Sequence, residues 1–256
     1  MEIIKLLLDH KNIDVNAITS IKIIYFYDFH EDDSNIYCID TTPLIEAIFH
    51  NQIEIIKLLL DRKDIDVNIK YQDKYDFDNW DAEKMKIKDK MRGKMYNKSK
   101  YRKIMDKTAL YIAIEKKYCE IVRLLLGNEN IDVNEKSLIK SYEISGNHKR
   151  IVEEEESTEL TPLYLAVENE NCDIVQILIG HKNIDVNLKS VSNCTNYVSI
   201  YKNVDEEQNE DEFKKIEKSK EETSLHNAVS KGNMKIIQAL LNHKDIDINS
   251  IDKQMR

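Results

Sequence analysis

Residues 161–187, "TPLYLAVENENCDIVQILIGHKNIDVN", decide the fold, because the same pattern is written three more times without a gap. The other copies are "TPLIEAIFHNQIEIIKLLLDRKDIDVN" at 42–68, "TALYIAIEKKYCEIVRLLLGNENIDVN" at 108–134 and "TSLHNAVSKGNMKIIQALLNHKDIDIN" at 223–249. A fifth, "EIIKLLLDHKNIDVN" at 2–16, keeps only the second half. Self-similarity of this kind predicts a stack of modules, each burying its apolar face against its neighbours.

Each position in the unit has a physical role. Thr42, Thr108, Thr161 and Thr223 can cap a helix by accepting a bond from an orphan amide, and Pro43 and Pro162 stand where a missing N–H costs nothing. Five positions after each Thr comes Ala47, Ala113, Ala166 or Ala228. A small residue there lets two helices approach closely, and a longer side chain would overpack the contact by about 1–3 kcal/mol. The second helix is apolar at five of six positions, as in Ile55, Ile56, Leu58, Leu59 and Leu60, which predicts burial around much of its circumference. Its end, "GHKN" or "NHKD", predicts a left-handed Gly or Asn cap with Lys or His at the negative end of the dipole. In "IDVN", Ile and Val face one side of an extended segment, while Asp and Asn face the other and fold over the local backbone as turn formers.

The unit resembles the ankyrin repeat, with its T-P-L-H, Ala, I-V-x-L-L-L and D-V-N elements. The resemblance implies an all-α fold, an α-solenoid of helix-turn-helix units with extended β-hairpin loops between repeats. It covers 1–16, 42–68, 108–134, 161–187 and 223–249 within a single domain, 1–256. Departures bear on turn geometry. The family's His survives only as His226, and its Gly between the helices only as Gly232, replaced elsewhere by Asn51, Lys117 and Glu170. One extra residue also separates the Leu run from "DVN". The half unit leaves Ile3, Ile4 and Leu7 without their expected partner. The chain is therefore expected to be part of a longer protein, or else monomeric with a partner at that end. Adding a complete unit there is expected to raise the thermal midpoint.

Unequal spacing of the copies means four inserts: 17–41, 69–107, 135–160 and 188–222. The first reads as a hairpin around "HEDDSN" and the third as a hairpin around "SGN". The fourth is acidic in "DEEQNEDE", which predicts disorder at its centre. In the second, Lys84 to Lys107 holds eleven basic residues against Asp89 and Asp106, a local charge of +9. A solvated, partly disordered loop is the plainest reading of such a run. Nucleic acid, an acidic partner, or attraction to the chain's own acidic inserts are the alternatives.

Composition narrows the chemistry. The net charge of −9 offers no overall field to gather nucleic acid or an anionic membrane. Only five Gly and two Pro argue for helices joined by Asn- and Asp-based connections. Cys38, Cys119, Cys172 and Cys194 form no C-x-x-C pair, and are read as reduced thiols of a cytoplasmic or nuclear protein. His10, His181 and His243 share one repeat position, which favours capping over metal binding or catalysis. Glu153–Glu156 read as hydrated loop carboxylates. No phosphate-binding loop, dinucleotide fingerprint or hydrolase elbow occurs, so no catalytic residue, cofactor or metal is assigned and no enzyme is expected.

Phe49, His50, Glu115, Lys116, Glu168, Asn169, Ser230 and Lys231 vary between copies while the core positions hold. The resemblance implies that this end of the first helix and the hairpin tips bind a protein partner, which makes the chain a non-catalytic interaction scaffold. Tyr25, Tyr27, Phe77 and Trp80 are added as aromatic contacts from the inserts. The alternatives are nucleic-acid or acidic-partner binding through 84–107, or the targeting segment of a larger enzyme. No membrane association is expected.

Overall fold

The computed structural model describes residues 12–26, 34–78, 98–147, 150–200 and 212–255, together with Glu2, Leu6, Leu8 and His10. Each full unit folds as a helix pair: α1 (Pro43–Phe49) with α2 (Ile53–Leu60), α3 (Ala109–Glu115) with α4 (Cys119–Leu126), α5 (Pro162–Glu168) with α6 (Cys172–Ile179), and α7 (Ser224–Lys231) with α8 (Met234–Leu241). The four threonines cap as the sequence predicts, each hydroxyl accepting from an amide three residues on, at 3.0 Å for Thr108 and 3.1 Å for Thr161. Ala47, Ala113, Ala166 and Ala228 are all buried where first helices stack on one another. One continuous apolar core runs along the array from Val15 to Leu240. The second helices are less enclosed than expected. Ile56 and Leu59 of α2 are buried, but Ile55, Leu58 and Leu60 are only half-buried.

Two local expectations are corrected. Asp61, Gly127, Gly180 and Asn242, which end the second helices, are right-handed, with φ from −72° to −79°. The left-handed residues end the first helices instead: Asn51 (φ 52°), Lys117 (60°), Glu170 (51°) and Gly232 (71°). There the chain must reverse within one residue, and the following amide reaches back to the alanine carbonyl, as in Gln52 to Ala47 at 2.8 Å. The histidines close the turn beyond the second helix. The rings of His10, His181 and His243 accept from the amide two residues on, each at 3.3 Å, the role that Asn128 fills in its repeat.

The "IDVN" motif does more than turn the chain. Asp14, Asp66, Asp132, Asp185 and Asp247 each accept from the amide two residues later at 2.9 Å, a local turn as expected. The asparagine reaches outward. The side-chain amide of Asn134 donates to the Asn183 carbonyl (2.8 Å), and its oxygen accepts from the Asp185 amide (2.9 Å). Asn16, Asn68 and Asn187 do the same to the next unit, so a row of amide clips joins successive repeats.

The all-α expectation is overturned by the inserts. They supply β1 (Thr19–Phe26), β2 (Ser34–Thr41), β3 (Tyr71–Asp78), β4 (Lys98–Lys107), β5 (Ser137–Asn147), β6 (Arg150–Leu160), β7 (Ser190–Ile200) and β8 (Glu212–Glu222), with β9 (Lys253–Met255) after the last unit. They do not stand apart as fingers. All nine join one antiparallel sheet in chain order, making this a mixed helix and sheet protein. The reason is a match of spacings. Packed helices sit about 8–10 Å apart, and two strands per repeat at about 4.8 Å each span the same distance. Each hairpin therefore lies within bonding reach of the next, and pairing removes edges that would otherwise stay open. The junction between β6 and β7 pairs from Arg150↔Ile200 to Glu159↔Val191.

The second insert is accordingly not a solvated loop over its described part, since β3 and β4 pair from Tyr71↔Lys107 to Asp78↔Lys100. Residues 79–97 lie outside the described residues, as does 201–211, where disorder was expected. In the third insert pairing runs through "SGN" to Asn147↔Arg150. Ile3, Ile4 and Leu7 are also outside the described residues. Among the described residues, no helix is long and apolar enough to cross a membrane.

Candidate functional site at the helix and sheet corner

The C-terminal ends of the first helices meet one face of the sheet. The strand residues on that face touch them directly. Tyr71 of β3 packs edge-on against Phe49, ring centroids 5.1 Å apart at 71°. Lys107 of β4 donates to Glu115 at 2.8 and 3.0 Å, and Glu222 of β8 accepts from the Tyr164 hydroxyl. Burial and then this bond push the Tyr164 phenol up, so it stays a donor. Buried serines tie the strand starts to the helix starts: Ser137 accepts from the Thr108 amide at 3.1 Å and Ser190 from the Thr161 amide at 3.0 Å.

The eight variable positions all lie along this corner, one step before the left-handed residue of each unit. They are not eight free contacts. The Lys116 ammonium lies 5.9 Å from the Phe49 ring centroid, bridging two repeats. Glu168 accepts from Asn227 (2.8 Å) and pairs with Lys231 (3.1 Å) of the next unit. Burial opposes its ionisation, but the bonds from Asn227 and Lys231 outweigh this and hold its carboxyl below the ordinary value. Glu115 is held by Lys107. His50 is exposed, 3.7 Å from Glu46, and Ser230 is exposed. The Asn169 side-chain nitrogen is buried with no bonding partner among the described residues.

Of the four insert aromatics, Tyr25 lies on β1 and Phe77 on β3, with side chains outside the described residues; Tyr27 and Trp80 lie wholly outside them. Three tyrosines that the sequence reading did not nominate form a row on the same sheet face. Tyr37 and Tyr75 meet edge-on with ring centroids 6.5 Å apart, and Tyr75 and Tyr101 are tilted at 55° with centroids 5.9 Å apart. At its foot the hydroxyls of Tyr37 and Tyr71 donate to Asp73 at 3.2 and 3.3 Å. The tyrosines themselves are plain in the first two inserts. The cross-strand register that aligns them is not.

The basic run is partly neutralised by its own hairpin and helix. Arg102 bonds Asp76 at 2.7 and 3.0 Å and Lys107 bonds Glu115, while residues 84–97 are outside the described residues. The strand β6 splits the four glutamates between faces, leaving Glu154 and Glu156 beside Cys194, with donor atoms within 4.8 Å of one another. Burial, then the bond to Glu154, pushes the Cys194 thiol up, which works against a thiolate ligand or nucleophile there. All four cysteines are free.

Family models described as ankyrin repeat match residues 40–72, 105–138, 158–191 and 220–250. No curated protein matches the chain.

Proposed function

Because this chain belongs to the ankyrin-repeat family, whose repeats generally mediate protein–protein interaction, we propose that it is a non-catalytic scaffold that binds a protein at the helix and sheet corner. One observation carries the reading. Eight positions that differ between repeats, from Phe49 and His50 to Ser230 and Lys231, fall along a single line beside the sheet and give one continuous surface whose chemistry changes from repeat to repeat.

His50, Lys116 and Ser230 are exposed and within a partner's reach, Lys116 with its ammonium over the half-buried Phe49 ring. Glu115 and Glu168 serve by holding the corner's shape. The test is affinity capture from cell extract with the intact protein and with a Lys116→Glu, Ser230→Arg variant, both residues being exposed. Proteins captured by the first and lost by the second, at an unchanged thermal midpoint, are the expected result. An identical set at identical yield would overturn the assignment of this corner.

A further inference from the structure

We propose that the sheet face above the corner takes an extended arginine- and lysine-rich segment of a partner protein, its cations lying between the Tyr37, Tyr75 and Tyr101 row and the carboxylates Glu143, Glu154 and Glu156. This rests on the corner being a protein-binding surface, and adds the chemistry of what it binds.

The register makes the patch. Tyr37 pairs with Tyr75 across β2 and β3, and Tyr101 pairs with Glu143, which pairs in turn with Glu154. Strand partners share a face, so tyrosines and carboxylates lie on one surface. Glu143 and Glu154 are therefore like charges directly opposite each other, an arrangement that is destabilising by itself. Glu156 stands two residues further along β6. Among the described residues no cation lies within ion-pair distance of any of the three. At the corner below, by contrast, Lys107 is paired with Glu115, Lys220 with Glu222 and Lys231 with Glu168. Lys103, opposite Tyr75 and two residues from Tyr101, stands inside the patch but outside ion-pair distance of the three carboxylates, and Lys218, opposite Cys194, borders it on the β8 side.

The same geometry describes the occupant. A guanidinium stacks on a tyrosine face and forks onto a carboxylate, and both groups are offered side by side where Tyr101 meets Glu143. Burial first, and then the charges of Glu143 and Glu156, push the Tyr101 phenol up, which places its hydroxyl in the field of those carboxylates. From β2 to β6 the patch crosses four strand spacings, about 19 Å, the length of roughly six extended residues. The net charge of −9 adds long-range attraction for a basic segment and repels phosphates.

The experiment is fluorescence anisotropy of a labelled nona-arginine peptide in about 150 mM salt, where exposed charges act over only about 8 Å. The full chain is compared with a Glu143→Gln, Glu154→Gln, Glu156→Gln variant. A Glu120→Gln, Glu129→Gln, Asp173→Asn variant, altered at exposed sites on and after the second helices, has the same net charge. Affinity about tenfold weaker in the first variant and within about twofold of the parent in the second is expected. Tyr101→Leu should weaken binding about threefold, through loss of stacking. Equal losses in both charge variants would reduce the effect to bulk charge and overturn the proposal. So would no binding, or preference for a ten-nucleotide RNA over the peptide. If protein capture still depends on Lys116 and Ser230 while these peptide results fail, the scaffold reading stands and only the partner's chemistry is wrong.

Discussion

Lys117 and Glu170 hold the left-handed conformation that Gly232 holds without strain. A side chain there costs about 1–2 kcal/mol, less for Asn51, whose type tolerates the region. Lys117→Gly is therefore expected to stabilise the protein by about 1 kcal/mol in urea unfolding, and Gly232→Ala to destabilise it by a similar amount. No gain from Lys117→Gly would mean that its turn is not held as described. Glu168 gives a pH signature. Its folded pKa is lowered, so its contribution is complete above the ordinary glutamate value of 4.5 and is lost as pH falls through the lower folded value. The stability difference between the parent and Glu168→Gln should be flat from neutral pH down to that point and shrink below it. Because the side chain is 45% exposed, solvent screening keeps the difference small.

The element that repeats most faithfully is the turn after the second helix, and its asparagine links units. Asn134→Ala removes two hydrogen bonds to the next repeat and is expected to cost about 1–2 kcal/mol. Asn249 supplies an internal control. Its side chain makes no bond among the described residues, so Asn249→Ala should be neutral; equal losses at both positions would refute the clip. Ser137→Ala strands the buried Thr108 amide and should cost about 1–3 kcal/mol, although Ser137 reads in sequence as an ordinary strand start. Here sequence reading found the element and missed its partner, because a bond between residues 29 positions apart leaves no local periodicity.

At the scale of the whole molecule, the sheet and the helix stack are coupled by their common spacing. The strand β6 is paired on both sides, with β5 and with β7. Glu155→Pro would break a ladder in its middle and is expected to cost about 3 kcal/mol. For a chain of this size that is a fall of roughly 6–12 °C in the thermal midpoint. A hairpin standing alone as a finger would tolerate the change with almost no loss of midpoint, so the measurement separates the two architectures. The strands of the fourth insert were hard to see for a physical reason. "EFKKIEKSKEE" is rich in Glu and Lys, which strands usually avoid, and it is held by pairing along β7, and with β9 at one end, rather than by its own propensity.

What the amino-acid sequence determined by itself lies within one unit: the Thr caps, the buried alanines, the helix pair, the Asp turn, and hence the repeat family. Those features depend on contacts between residues a few positions apart, and each copy restates them. Only the tertiary structure decided what happens between units. Stacking at one fixed distance aligned four dissimilar inserts into a single sheet and turned "IDVN" asparagines into clips. It also drew Tyr37, Tyr75 and Tyr101 onto one face with Glu143 and Glu154. No local pattern encodes those neighbours, since they come from register across strands that the repeat spacing brings together.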